Sequence, residues 1–187
     1  MNVCTVGIDT SCYASSVACV DGNGIVFQKK TMLSVDPGER GLRQSDAVFL
    51  HVRNLEPLVR ELFLALSGKE IQNFCVSTQP TDEEGSYMPV FLAGLTAATA
   101  AASALGLPLM RTSHQRGHVR AALLGNEALL TRNSFLALHL SGGTTDVLEV
   151  CLCDRRIAGV RRIGGSEDLH IGQFVDRVGV RLGLPFP

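Results

Sequence analysis

The chain has 187 residues, 45% of them hydrophobic, enough for one large domain, or one and a part, around a real core. Seventeen basic residues stand against eighteen acidic ones, a net charge of −1. A tight, purely electrostatic grip on nucleic acid is therefore not expected of this chain alone, and any RNA contact needs a local patch or a partner.

The N-terminus, Met1 to Cys12, lacks a basic region followed by an apolar run, so no signal peptide is expected there. The most apolar window, Val90 to Leu109, is interrupted by glycine and threonine and rich in alanine. It reads as a buried helix rather than a membrane span. Six cysteines (Cys4, Cys12, Cys19, Cys75, Cys151, Cys153) sit in apolar runs without CxxC spacing. They are expected to be reduced core residues of a cytoplasmic protein.

In chain order, Val3–Ile8 and Ser15–Val20 are apolar runs, and Asp21-Gly22-Asn23-Gly24 is a hairpin turn leading into a third, Ile25–Leu33. Asp46–Leu66 carries apolar residues at helical spacing (Val48, Val52, Leu55, Val59, Leu62, Leu66), and Ser67-Gly68 ends it. Phe74–Ser77 is a buried strand, Tyr87–Leu105 a small-residue helix, Leu109–Thr112 a strand and His114–Leu124 a helix. Then the opening order returns. Ser134–Leu140, Val147–Leu152 and Ile157–Ile163 are strands, and Asp168–Leu182 is a helix stopped at Gly183. Such an echo suggests two lobes of one ancestral unit facing each other across a cleft. The second repeat reaches Pro187 just after its first helix, so it reads as partial, with an edge and an apolar face that need cover.

Two turns occupy matching places in the repeats. Ser141-Gly142-Gly143-Thr144-Thr145 can bring backbone N–H groups and hydroxyls against an oxyanion, although a plain glycine hairpin has the same composition. Asp9-Thr10-Ser11 is an acidic and hydroxyl turn, such as a two-lobed nucleotide site would set opposite it. His114 and His118, four apart, share one helical face and can share an ion, yet two protein ligands are fewer than a catalytic zinc or iron site uses. His139 lies in a strand, where packing or hydrogen bonding accounts for it equally well. Asp176 on the last helix and the loop Asp82-Glu83-Glu84 have plain readings as solvated acids. Arg155, Arg156, Arg161 and Arg162 read as protection of a sheet edge.

The ordered series Gly7-Ile8-Asp9-Thr10-Ser11-Cys12, His114-x-x-x-His118, Ser141-Gly142-Gly143-x-Thr145 and Phe174-x-Asp176 resembles the tRNA N6-threonylcarbamoyladenosine transferases, long labelled O-sialoglycoprotein endopeptidases or glycoproteases. The resemblance runs along the whole chain and matches the N-terminal part of such proteins. It implies an α/β, actin/Hsp70-like fold of duplicated ribonuclease-H-like lobes, the first complete over residues 1–130 and the second, 131–187, partial. It implies a ligand, ATP or threonylcarbamoyl-adenylate, between the lobes, with an iron or zinc ion nearby. The threonylcarbamoyl group would pass to N6 of adenosine 37 in tRNA, with tRNA engaged only together with partner proteins, among them a related actin-like subunit or a second copy. No membrane association is implied.

Carried over by residue, His114 and His118 match the metal-binding histidines. His139, Leu140, Ser141, Gly142 and Gly143 match the ligand-binding turn, and Asp176 the ligand-binding aspartate; Asp9, Ser11, Thr144 and Thr145 are weaker candidates. Four positions depart from the family pattern. Tyr13 and Ala14 stand where two acids are usual, Thr144 replaces a histidine, and Gln173 replaces an acid. The third metal ligand of the family, an aspartate, has no counterpart up to Pro187. These changes remove charge and hydrogen-bonding capacity around the ligand, which points to a divergent paralogue. Two further functions stay open: a non-catalytic actin-like scaffold that pairs with a related protein and, least favoured, a metallopeptidase, for which His-x-x-x-His lacks the glutamate of His-Glu-x-x-His.

Overall fold

The structure, a computed structural model, describes residues 3–11, 13–34, 42–141 and 143–184. Cys12 and Gly142, both named above, and the closing Pro185–Pro187 lie outside the described residues. The chain divides into two compact units, Met1–Gly117 and His118–Pro187.

The first unit is a five-stranded sheet with two helices. Its strands are β1 (Val3–Asp9), β2 (Ala14–Asp21), β3 (Gly24–Met32), β4 (Glu70–Gln79) and β5 (Leu109–Ser113), in the order β3-β2-β1-β4-β5. The first three form an antiparallel meander, and β4 and β5 add in parallel on the other edge of β1. Each parallel addition needs a crossover, which α1 (Gln44–Ala65) and α2 (Phe91–Leu105) supply.

Alternation decides which face is covered. Cys4, Val6 and Ile8 on β1 and Val17 and Cys19 on β2 are at most 4% exposed, while the residues between them are not fully buried. Phe74 and Val76 of β4 continue this core, and Leu55, Leu58, Leu62, Ala98 and Ala102 of the helices close it. Pro57 lies inside α1 without ending it, on the exposed side, where its missing N–H and crowded ring are tolerated.

The second crossover helix starts at Phe91, not at Tyr87 as the composition predicts. The N–H groups of Phe91, Leu92 and Ala93 bond to the carbonyls of Met88, Pro89 and Val90, so the preceding residues form a tight turn rather than α-helix. The helix ends at Gly106, whose φ of 64° is left-handed, and Leu107 N–H closes on Ala102 O at 2.9 Å.

One buried hydroxyl fastens this helix to the sheet. Thr10, fully buried after β1, donates to Val90 O at 2.9 Å and accepts from Gly94 N–H at 3.0 Å. Gly94 is required there, because a Cβ would lie 2.8 Å from Thr10 Oγ1 and 3.3 Å from its methyl. A second buried polar pair, Ser15 Oγ and His51 Nδ1 at 2.8 Å, joins β2 to α1.

The second unit holds a three-stranded antiparallel meander, β6 (Ser134–Leu140), β7 (Thr145–Cys153) and β8 (Arg156–Gly165), followed by α4 (Ile171–Arg181). The helix α3 (His114–Ala122) leads into it, and a 3₁₀ turn at Glu127–Thr131, absent from the sequence reading, precedes β6. Val119, Leu148, Val150 and Val160 form its core, with Phe135, Ala137 and Ile157 beside them. No residue of α4 is buried.

The cysteines divide. Cys4 and Cys19 are buried and Cys75 half-buried, as expected of core thiols, but Cys151 and Cys153 are exposed. On β7 the core face is taken by Leu148 and Val150, so the alternate positions 151 and 153 point the other way.

The Thr10–Gly94 contact yields a double-mutant test. Gly94→Ala is expected to cost about 1–3 kcal/mol by overpacking, and Thr10→Ala about 1–3 kcal/mol by removing the buried acceptor of Gly94 N–H and a donor to Val90 O. In a Thr10→Ala background the cost of Gly94→Ala should fall by more than 0.5 kcal/mol, on the order expected of residues in contact. Urea unfolding of the four proteins measures it, and additive costs would break the assignment.

Candidate functional site

In the first unit the end of β1, the loop after β4 and the first turn of α3 meet around His114. The alternation that buries Ile8 leaves Asp9 half-buried, and the chain then turns through Thr10, anchored as above, to Ser11. Ser11 N–H donates to Asp9 Oδ1 at 2.9 Å, and its hydroxyl also bonds to that oxygen. His114 Nδ1 lies 3.0 Å from Asp9 Oδ2 and 2.8 Å from Ser11 Oγ. A carboxylate only accepts, so Nδ1 carries the proton toward Asp9, while Ser11 Oγ lies within reach of both ring nitrogens, 3.4 Å from Nε2. The Ser11 hydroxyl donates to Asp9 rather than to the imidazole, which is not the relay of a nucleophilic Ser-His-Asp triad.

The α3 first turn is clamped from outside the cluster. Ser113 Oγ accepts from Arg116 N–H at 3.1 Å, an N-cap bond, and donates to Asp82 Oδ1 at 2.6 Å. Arg116 grips Asp82 Oδ2 through Nε at 3.1 Å and through Nη2, and Gln115 N–H bonds to Pro80 O at 2.9 Å. The acidic loop, read from sequence as an inert surface turn, is therefore the brace of the helix that begins with His114. The ring of Phe91 stands 6.5 Å from that of His114, tilted by 56°.

Electrostatics follow from this arrangement. Burial pushes the Asp9 carboxyl up, but the hydrogen bond and charge of His114 and the hydroxyls of Ser11 and Ser77 outweigh it and hold the group well below the usual carboxylate range.

In the second unit the turn from β6 to β7 docks the start of α4. Ser141 N–H closes the turn on Thr144 O at 2.8 Å, and Gly143 N–H reaches Ser141 Oγ at 3.3 Å. Thr145 Oγ1 accepts from Ile171 N–H at 2.8 Å and Ser141 O from Gly172 N–H at 3.1 Å. Ser141, Gly143, Thr144 and Thr145 are thereby gathered at the helix start, and Leu140, the last residue of β6, is about half exposed beside them. Asp176 sits further along α4, half-buried, and lines a hollow of about 430 Å³ with Arg177, Val180 and Arg181. His139 stands beside His118, ring centroids 5.4 Å apart. Gly165, which sequence reasoning missed, lets β8 press on the turn: a Cβ there would lie 2.4 Å from Thr145 O and 2.9 Å from Asp146 Oδ1.

The metal expectation is tested by the donors present. His114 and His118 open the same helix one turn apart, but the Nδ1 of the first is engaged by Asp9 and Ser11 and the ring of the second lies against His139. Among the described residues no three or more His, Cys, Asp or Glu side chains come together to hold an ion. The donors described here do not by themselves close a metal site.

Two consequences are measurable. A carboxyl whose folded pKa is depressed adds stability that is present above its unfolded value, about 3.9, and is lost as pH falls below it. Asp9→Asn is therefore expected to destabilise the protein at pH 7, and its difference from the unaltered chain to shrink as pH drops below about 4, in chemical denaturation at each pH. Gly165→Ala meets backbone oxygen and cannot be relieved by a rotamer. It should lower stability by about 1–3 kcal/mol, with the loss of amide protection in hydrogen exchange centred on β7, β8 and the start of α4.

Comparison with known proteins bears on the family and the fold. A sequence model of the tRNA N6-adenosine threonylcarbamoyltransferase family matches residues 34–187. The transferase of that name from Thermotoga neapolitana is 27% identical over 184 residues, covering 97% of this chain and 53% of the relative. The chain thus spans about half the length of such relatives. Among solved structures, YeaZ from Pseudomonas aeruginosa aligns with a TM-score of 0.53 at 17% identity, over 90% of this chain and 67% of the other. The ethanolamine utilization protein EutJ from Carboxydothermus hydrogenoformans aligns at 0.54 and 17% identity, over 98% and 58%. The fold is thus the actin/Hsp70-like one, and the chain belongs to the tRNA N6-adenosine threonylcarbamoyltransferase family.

Proposed function

We propose that the chain is a divergent member of this family whose chemistry is threonylcarbamoyl transfer to N6 of adenosine 37 in tRNA. The observation that carries this reading is the bracing of His114: Asp9, Ser11, Ser113, Asp82 and Arg116 together fix one imidazole at a helix start. A helix start braced in this way presents its first side chain in a set direction, which suits a ligand-handling group. Residues 1–130 would form the first lobe and 131–187 the beginning of the second. The turn from His139 through Ser141, Gly142 and Gly143, with Thr144, Thr145 and Asp176, would hold ATP or threonylcarbamoyl-adenylate. His114 and His118 would supply two ligands of an iron or zinc ion; since the described donors leave that set open, no step is derived through it.

A second reading, an actin-like subunit that supports a related protein, is favoured by the four departures and by a groove. The exposed side chain of Tyr13 replaces a carboxylate, and Ala14, Thr144 and Gln173 likewise carry no charge. Between α1 and α2 runs an apolar groove of about 710 Å³, floored by Ala93, Ala97, Ala100 and Ala101 and walled by Val48, Val52 and Val59. Small residues on one helix admit the close approach of another, which suits a helix of a related subunit. A cytoplasmic, tRNA-directed role fits either reading. Among the described residues no helix is long and apolar enough to cross a membrane.

Ligand binding separates the two. If the transferase reading holds, ATP at a hundred times its dissociation constant should stabilise the chain by about 2.7 kcal/mol in a thermal shift. Reconstitution with a related actin-like subunit, tRNA, ATP and threonylcarbamoyl-adenylate should yield modified adenosine by nucleoside mass spectrometry, lost in His114→Ala. Metal content of protein purified without chelator checks the ion. No shift, no product and a firm complex with the related subunit would leave the supporting role.

A further inference from the structure

Large aromatic side chains are scarce in this chain, which has no tryptophan, two tyrosines and eight phenylalanines. Among the described residues of the first unit three of them are well exposed: Tyr13 at 46%, Phe49 at 65% and Tyr87 at 63%. Phe49 lies on α1 and Tyr87 in the turns before α2. Of the three, only Tyr13 belongs to the segment that leaves β1 with Asp9 and Ser11.

The backbone at Tyr13 is tied down on both sides. Ala14 N–H closes on Ser11 O at 3.3 Å, and Tyr13 O accepts from Leu33 N–H at 2.7 Å. Ser11 in turn is buried, with its hydroxyl on Asp9 and 2.8 Å from His114 Nδ1. The phenol ring therefore projects from a fixed point next to the candidate site. A side chain with two torsions on such a backbone loses little entropy when its face takes a partner.

Charge limits what that partner is. His114 and the serine hydroxyls hold the Asp9 carboxyl ionised at neutral pH, and a fixed anion disfavours a phosphate group beside it. A net charge of −1 gives the chain no general electrostatic hold on RNA. An uncharged flat base meets neither obstacle, and unpaired bases are held on exposed aromatic faces.

We propose that Tyr13 is a specificity residue of this chain, the platform on which an adenine base stacks beside the Asp9–Ser11–His114 cluster. The proposal deepens the transferase reading and rests on it. Two adenines enter that reaction, the one in ATP or threonylcarbamoyl-adenylate and the one in the acceptor adenosine, and both present the same π-face. Stacking uses the ring and not the hydroxyl, so phenylalanine should serve in place of Tyr13 and alanine should not.

The scarcity of tyrosine makes the test direct. Fluorotyrosine incorporated into the whole chain gives two fluorine resonances, and Tyr87→Phe assigns them. ATP, inorganic tripolyphosphate and an RNA hairpin with one unpaired adenosine in its loop are titrated separately. The expected result is a saturable shift of the Tyr13 resonance with an adenine-bearing ligand and none with tripolyphosphate. A shift with ATP assigns the ring to the nucleotide, and a shift with the hairpin but not ATP assigns it to the acceptor adenosine. By calorimetry, Tyr13→Ala should weaken binding of that ligand about tenfold and Tyr13→Phe by less than about twofold. Phe49→Ala, at an exposed position on α1, should leave it unchanged. An adenine-bearing ligand that raises the thermal midpoint but leaves the Tyr13 resonance in place would overturn the proposal and leave the transferase reading standing. An equal shift with tripolyphosphate, or undiminished binding by Tyr13→Ala, would do the same. Binding of neither ATP nor the hairpin, in the thermal shift or the fluorine spectra, would overturn both.

Discussion

The hydroxyl of Thr10 is the fixed point on which the first unit's site depends. It stands where β1 gives out, fully buried, and bonds to both a carbonyl and an N–H of the first turn of α2. Val90 and Gly94 are both buried, so losing the bridge leaves the Gly94 N–H without its hydroxyl acceptor in an apolar setting. Its consequence is directional. With Thr10 anchored to α2, Asp9 and Ser11 on either side of it both reach Nδ1 of His114. The absence of a side chain at Gly94 makes the bridge possible, which links a glycine in one helix to the orientation of a carboxylate after a strand.

The strands were legible because the code for them is local. Alternation in β1 and β2, the Asp21–Gly24 turn and the triple-strand echo place nearly every strand within a residue or two of its observed ends. The misreadings have tertiary causes. Tyr87–Val90 has helical composition but is held in tight turns by its neighbours. Cys151 and Cys153 lie in an apolar run, yet the face they occupy is the one the core does not use. The site residues divide similarly. His114, Asp9 and Ser11 were visible as motif residues, whereas Asp82, Arg116, Gly94 and Gly165 act through contacts across 31 residues or more, or through a close approach, neither of which leaves a pattern along the chain. His139 is the instructive middle case: a residue read with the glycine turn finds its neighbour in His118.

The two meanders are the same motif at different stages of enclosure. In the first, both edges of the opening strand are paired and one face is sealed by two helices, so alternate residues fall to a few per cent exposure. In the second, the same alternation is written into β6, but only Phe135 and Ala137 are used by the core. The following helix tells the same story. α4 carries Phe174, Val175 and Val178 without burying any of them, although its start is firmly bonded to the β6–β7 turn. Apolar pattern in excess of apolar burial is the mark of surfaces built to be covered.

The departures from the family pattern fall on positions that the scaffold's bonds do not use, and the β6–β7 turn shows why. Its closure is a backbone bond from Ser141 N–H to Thr144 O, and the α4 start is held by the Ser141 carbonyl and the Thr145 hydroxyl. None of these bonds uses the side chain of residue 144, so exchanging a histidine for Thr144 leaves the turn intact while removing a titratable, ring-bearing group. Gln173 is likewise exposed on α4, where a neutral amide replaces an acid without disturbing a core. The bonds that build the scaffold therefore run through the backbone and through Thr10, Ser141 and Thr145, and the departures fall on side chains those bonds do not need.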